Sequence, residues 1–220
     1  MSIVRGGVLV SRPREIPGPA GPLEVVWNMP DGPPRAAVIL AHPLPTAGGT
    51  MHTKVVFQVA KGLARVGCVV LRFNFRGVGL SAGAWDDGRG ERDDYSAAID
   101  YVEAAYPGLE LWAAGFSFGS YVALTVGADD TRICALVAIA PPVDRYDFAS
   151  VQTSHKPIFI VHGEDDELIS LKFVRRFYAE LEEPKELIEI DRANHLFDGQ
   201  ASEVGDVLAN LLEDFTCRTQ

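Results

Sequence analysis

The sequence predicts an α/β fold in which a mostly parallel sheet is flanked by helices, and two observations carry that expectation. Short apolar, β-rich runs alternate with longer stretches whose apolar residues recur at helical spacing. The chain has 220 residues, of which 47% are hydrophobic, enough for one domain over 1–220 with a sizeable core.

Strand-like runs fall near 7–12, 22–28, 36–41, 68–74, 109–114, 133–140, 157–162 and 185–190, about eight in all. The first two are expected to pair locally. Helical patterns fall near 52–66, 91–106, 118–127, 170–182 and 200–214. In the fourth, Leu171, Val174, Tyr178 and Leu181 repeat at helical spacing, and Pro184 lies just past its end. The Pro-rich segments at 17–22 and 30–34 are connectors, and no internal repeat is present.

One junction stands apart. The strand-like run that includes Leu109, Leu111 and Trp112 enters Gly115-Phe116-Ser117-Phe118-Gly119, and a helix-like run leaves it. A serine on so sharp a turn has a strained backbone, tolerated where the residues two before and two after are small. Gly115 and Gly119 meet that demand. The turn sets the Ser117 hydroxyl over a helix N-terminus, where free N–H groups favour developing negative charge, and Ser117 is the candidate nucleophile.

A serine hydroxyl needs a base to take its proton and a carboxylate to orient that base. The run Pro157–His162 reads as a buried strand, and Gly163-Glu164-Asp165-Asp166-Glu167 follows at its C-terminal end. Asp165 and Asp166 are both candidate acids, with Asp144 a weaker third. His195, in a loop before the last helix, is the candidate base.

Four segments, "LAHPLPTAGGTMHTKVV", "LRFNFRGVGLSAG", "GFSFGSYVAL" and "VHGEDDELIS" with the later "ANHLF", make nearly the whole chain resemble the α/β-hydrolases. The likeness is to small, lidless bacterial enzymes related to dienelactone hydrolase and the short-chain carboxylesterases. It implies an eight-stranded, mostly parallel sheet and the triad order Ser, Asp, His. It also places the acid three residues after Gly163, on Asp166. Dienelactone hydrolases use cysteine at the elbow, and serine here makes their reaction a poorer match.

Stabilising a tetrahedral intermediate needs two convergent N–H donors. Phe118, after the nucleophile, supplies one. Within His42-Pro43-Leu44-Pro45 the prolines have no N–H, which leaves Leu44 as the donor between them. Only 16 residues separate the strand ending at Ala140 from that starting at Pro157, too few for a cap or lid domain. An open site that accepts small or extended substrates follows, and small carboxylic esters or thioesters are the expected substrates. Phe116, Phe118, Phe148 and Phe197 are candidates either for acyl-pocket walls or for core. Arg76, amid glycines, is expected to pair internally and fix its loop beside the site.

The net charge of −10 and the lack of a basic run disfavour nucleic acid and anionic membranes as partners. His42, His52, His155 and His162 lack zinc-ligand spacing, and the acidic run lacks a calcium-loop pattern, so no metal is expected. Neither is a cofactor. Three cysteines, Cys68, Cys134 and Cys217, suggest no disulfide framework. The N-terminus lacks a signal-peptide core and no transmembrane-length apolar run occurs, so a cytoplasmic monomer or homodimer is expected. Amidase, peptidase or acyltransferase chemistry would use the same residues, and a binding protein that had lost catalysis would keep the same fold.

Overall fold

In a computed structural model, described for residues 3–5, 8–10 and 13–217, the chain builds an eight-stranded sheet with helices on both faces. The strands are β1 (Ile3–Arg5), β2 (Val8–Val10), β3 (Glu15–Ile16), β4 (Leu23–Asn28), β5 (Ala36–Ala41), β6 (Cys68–Phe73), β7 (Glu110–Phe116), β8 (Ile133–Ile139), β9 (Ile158–Gly163) and β10 (Lys185–Ile190). The helices are α1 (Lys54–Arg65), α2 (Arg89–Ala105), α3 (Phe118–Asp129), α4 (Ala149–Gln152), α5 (Leu171–Glu180) and α6 (Ala201–Leu212).

The sheet order is β10-β9-β8-β7-β5-β6-β4-β3. From β10 to β6 the strands are parallel, whereas β4 and β3 are antiparallel to their neighbours. The run near 7–12 corrects an expectation. Its described part, β2, pairs with β1 in a separate two-stranded sheet and not with β4. The edge beside β4 is taken by β3, whose two residues are too few to leave a period in the sequence.

Parallel strands buried on both faces read as continuous apolar runs, and β5, β6 and β9 are buried at every position. One face packs α2, α3 and α5 through residues such as Tyr95, Val122 and Val174. The other packs α1 and α6 through Val59, Leu63, Val204 and Leu208. There the two helix backbones touch. A Cβ added at Gly62 would lie 2.2 Å from the Gly205 carbonyl oxygen, and one at Gly205 would lie 2.4 Å from that of Gln58.

The sheet order positions the site. β5 is paired on one side with β6 and on the other with β7, so the chain's direction of travel across the sheet reverses around it. Loops leaving the C-terminal ends of β5 and β7 therefore open a crevice at this reversal. The connection from Ile139 to Ile158 holds only the four-residue α4, with no cap.

A second correction concerns the cysteines. Cys134 and Cys217 form a disulfide, with their Cα atoms 6.0 Å apart, while Cys68 is free and buried. Among the described residues no helix is long and apolar enough to cross a membrane.

Candidate active site

Ser117 sits between β7 and α3 with φ 52° and ψ −123°, a conformation that few residues other than glycine adopt. Its surroundings enforce it. A Cβ at Gly115 would lie 2.1 Å from the Gly119 carbonyl oxygen, and one at Gly119 would lie 2.4 Å from that of His42. The Ser117 N–H donates to the Ile139 carbonyl at 2.8 Å, which ties the elbow to β8. The Ser117 carbonyl accepts the N–H groups of Ser120 and Tyr121, and the Ser120 hydroxyl at 2.6 Å. The elbow is thus wedged between two strands and the end of β5.

Three residues from three loops meet there. His195 Nε2 is 2.9 Å from Ser117 Oγ, and its Nδ1 is 2.8 Å from Asp166 Oδ2. A carboxylate can only accept here, so Nδ1 carries the proton and Nε2 is free to accept from the serine hydroxyl. Asp166 Oδ1 accepts the N–H groups of Leu168 at 2.9 Å and Ile169 at 2.8 Å. Burial raises the pKa of this carboxyl, but the bonds from His195 and Ile169 outweigh it and hold the group below the usual aspartate value. Asp166 is therefore an anion facing an imidazole.

Asp165 and Asp144 are not part of this group. Asp165 is exposed and meets the histidine loop only through its backbone, donating to the Ala193 carbonyl at 3.0 Å. Asp144 is exposed and lies 3.9 Å from Arg145.

Leu44 and Phe118 follow the C-terminal ends of β5 and β7, the neighbouring strands at the reversal. Phe118 opens α3, so its N–H falls outside the helical ladder. Leu44 precedes a 3-10 turn, Pro45–Ala47, and its carbonyl accepts from Ala47 and Gly49. Its own N–H has no partner among the described residues. That is the condition of a donor held ready for an anion.

Several supporting residues left no signal in the sequence. His42 is fully buried; its Nδ1–H donates to the Pro43 carbonyl at 2.7 Å and its Nε2 accepts the Phe75 N–H at 3.1 Å. It braces the Leu44 loop against the loop after β6. Burial pushes its pKa down to about 4, against the bond to Pro43, so the ring is neutral. Glu167 accepts the His195 backbone N–H at 3.1 Å. Glu164 N–H donates to the Ile190 carbonyl at 3.0 Å, so the acid loop and the base loop are laced together along their length.

The four phenylalanines are buried. Phe116 stacks beneath His195 with ring centroids 5.6 Å apart, Phe197 lies behind it, and Phe118 and Phe148 join the core on the α3 side. Arg76 pairs with the buried Asp94 at 2.8 Å, which anchors the glycine-rich loop after β6 to α2.

Among the described residues, Glu110, Cys134 and Cys217 are the group whose ligand atoms converge enough for a metal. It lies at the opposite end of β7 from Ser117. Both sulfurs are consumed by the disulfide, and Glu110 accepts from the Thr216 hydroxyl and the Cys217 N–H. The donor set does not fit an ion.

Fold and site together define an α/β serine hydrolase without a lid. A structure of a lidless α/β serine hydrolase from Xanthomonas campestris matches at 36% identity, covering 94% of this chain and 95% of that one, with a TM-score of 0.86. An α/β serine hydrolase homologue from Coxiella burnetii matches at 38% identity over 93% of this chain and 99% of its own, with a TM-score of 0.87. An uncharacterized Rickettsia prowazekii protein is 33% identical over 204 residues, covering 89% of this chain and 86% of its own length. Residues 32–153 match the model of the family described as serine aminopeptidase, S33, and the chain belongs to that family.

Proposed function

We propose that the protein cleaves small carboxylic esters or thioesters through an acyl-enzyme formed on Ser117. The observation that carries this reading is the continuous line of hydrogen bonds from Ser117 Oγ through His195 to Asp166, at 2.9 and 2.8 Å. His195 Nε2 takes the serine proton as Oγ attacks the carbonyl carbon, and Asp166 steadies the imidazolium that forms. The N–H groups of Leu44 and Phe118 hold the oxyanion. His195 then protonates the leaving alcohol or thiol and activates water for deacylation, with no cofactor.

The short link between β8 and β9 leaves the crevice uncapped, which suits small or extended substrates, and a small ester is the substrate proposed. We further propose that residues 1–220 form one domain and that the protein acts in the cytoplasm as a monomer or homodimer. Cleavage of an amide or an N-terminal peptide bond is the second reading, favoured by the family's description as serine aminopeptidases.

Intact-mass analysis after fluorophosphonate treatment tests the proposal, run on the wild type and on Ser117→Ala beside p-nitrophenyl acetate and amino-acid p-nitroanilide assays. The expected result is one adduct, lost in Ser117→Ala, with turnover of the ester exceeding that of the anilides. Faster anilide turnover would favour the peptidase reading, and labelling without turnover an acyltransferase. No adduct on the wild type would leave a binding protein on this fold.

A further inference from the structure

The last residue but one of β9 is a polar exception in an apolar strand. His162 follows Ile158, Phe159, Ile160 and Val161, and its side chain is fully buried. Its Nε2 lies 2.9 Å from the Ile169 carbonyl and 3.5 Å from Asp166 Oδ2. Its Nδ1 is buried with no hydrogen-bond partner among the described residues. Both neighbours of Nε2 are acceptors, so Nε2 carries the proton and Nδ1 is a bare lone pair. Leaving a buried polar atom unpaired is destabilising, and a leucine here would not incur that penalty. Space filling is thus a poor account of an imidazole at this position.

The contacts close a ring. His162 Nε2–H reaches the Ile169 carbonyl, the Ile169 N–H donates to Asp166 Oδ1, and Asp166 Oδ2 returns to within reach of His162 while accepting from His195. Asp166 belongs to a loop, whereas His162 belongs to a strand paired on both sides. We propose that His162 is a positioning residue: its Nε2–H anchors the 164–169 loop to β9 and fixes where Asp166 Oδ2 meets His195 Nδ1. Burial keeps the ring neutral by lowering its pKa, so it contributes a donor without a second positive charge beside His195. The inference rests on the serine-hydrolase reading, because it assigns His162 a role through the acid–base pair.

The test compares His162→Leu, His162→Gln and His162→Asn with the wild type, using p-nitrophenyl acetate kinetics and the low-field proton resonance of His195 Nδ1–H. Outer-shell partners that orient metal-ligating histidines typically contribute about 10–100-fold, and a loss of that order is expected for a residue that orients the acid of this pair. His162→Leu is expected to lose kcat in that range with KM nearly unchanged, and to shift or broaden the low-field proton. Gln carries its amide nitrogen near the Nε2 position and Asn near Nδ1, so Gln should recover activity and Asn should not. Wild-type kcat and an unmoved proton in His162→Leu would overturn the proposal. If that variant fails to fold, equal activity of the Gln and Asn variants would overturn it. A wild type with no fluorophosphonate adduct and no low-field proton would overturn the underlying reading as well. A labelled wild type with unaffected variants would remove the role of His162 alone.

Discussion

Replacing Leu44 with proline deletes one backbone N–H and changes little else. Leu44 already has φ −48° and ψ 118°, close to the φ that proline imposes and suited to a residue that precedes Pro45. Its N–H has no partner among the described residues, so the substitution breaks no hydrogen bond among them. The half-buried side chain packs on the α3-side core, and trimming it costs about 1 kcal/mol of stability. Restricting the unfolded chain returns about 0.4–1 kcal/mol of that. Losing one oxyanion donor, by contrast, lowers kcat by about 10²–10³, or roughly 3–4 kcal/mol of transition-state stabilisation. The assay is the burst and steady-state rate with p-nitrophenyl acetate, read beside thermal melting. Leu44→Ala is the control, since it removes the side chain and keeps the N–H. The expectation is a Leu44→Pro protein that melts at or slightly above the temperature of Leu44→Ala and turns over about a hundredfold or more slowly than it. Equal rates in the two variants would remove Leu44 from the oxyanion hole.

Stability should also depend on pH through His42. Its folded pKa, about 4, lies below the ordinary 6.5, so the unfolded chain binds the extra proton first. The His42 contribution is therefore present above pH 6.5 and is lost as pH falls through the folded value, up to about 3 kcal/mol. Urea melts between pH 7 and 4 should show that slope in the wild type and a flatter one in His42→Gln; parallel curves would contradict it. Gly62→Ala should destabilise although alanine is the better helix former. Relieving a 2.2 Å approach to the Gly205 carbonyl requires α1 and α6 to part. Overpacking costs about 1–3 kcal/mol against about 1 kcal/mol of propensity gained, so calorimetry should record a fall of several degrees, and a higher melting temperature would refute the account.

What could be read from the sequence was what local chemistry enforces. Ser117 was legible because the close packing of Gly115 and Gly119 leaves its mark within five residues. His195 was legible as a histidine in the right loop. The residues alone left Asp165 and Asp166 both open, since neighbours on a turn share every compositional feature; what separates them is the pair of N–H groups from Leu168 and Ile169 that turn one carboxylate inward. His42 and Glu167 were silent because their partners are backbone N–H groups of distant loops, at Phe75 and His195. The disulfide was hidden by 83 residues of separation, and β3 by its brevity.

The segment 212–217 is fastened at the opposite rim of the sheet from Ser117. Arg35 donates to the carbonyls of Val66, Leu212 and Phe215, Glu110 receives Thr216 and Cys217, and the disulfide joins Cys217 to the start of β8. β7 alone, seven residues long, separates the two rims by about 20 Å. The segment 212–217 is thus a natural handle. A tether attached there would leave the reactive crevice facing away from its support. A reductant that opens the bond would slacken that anchorage, lowering the temperature the protein survives while leaving its turnover at moderate temperature alone.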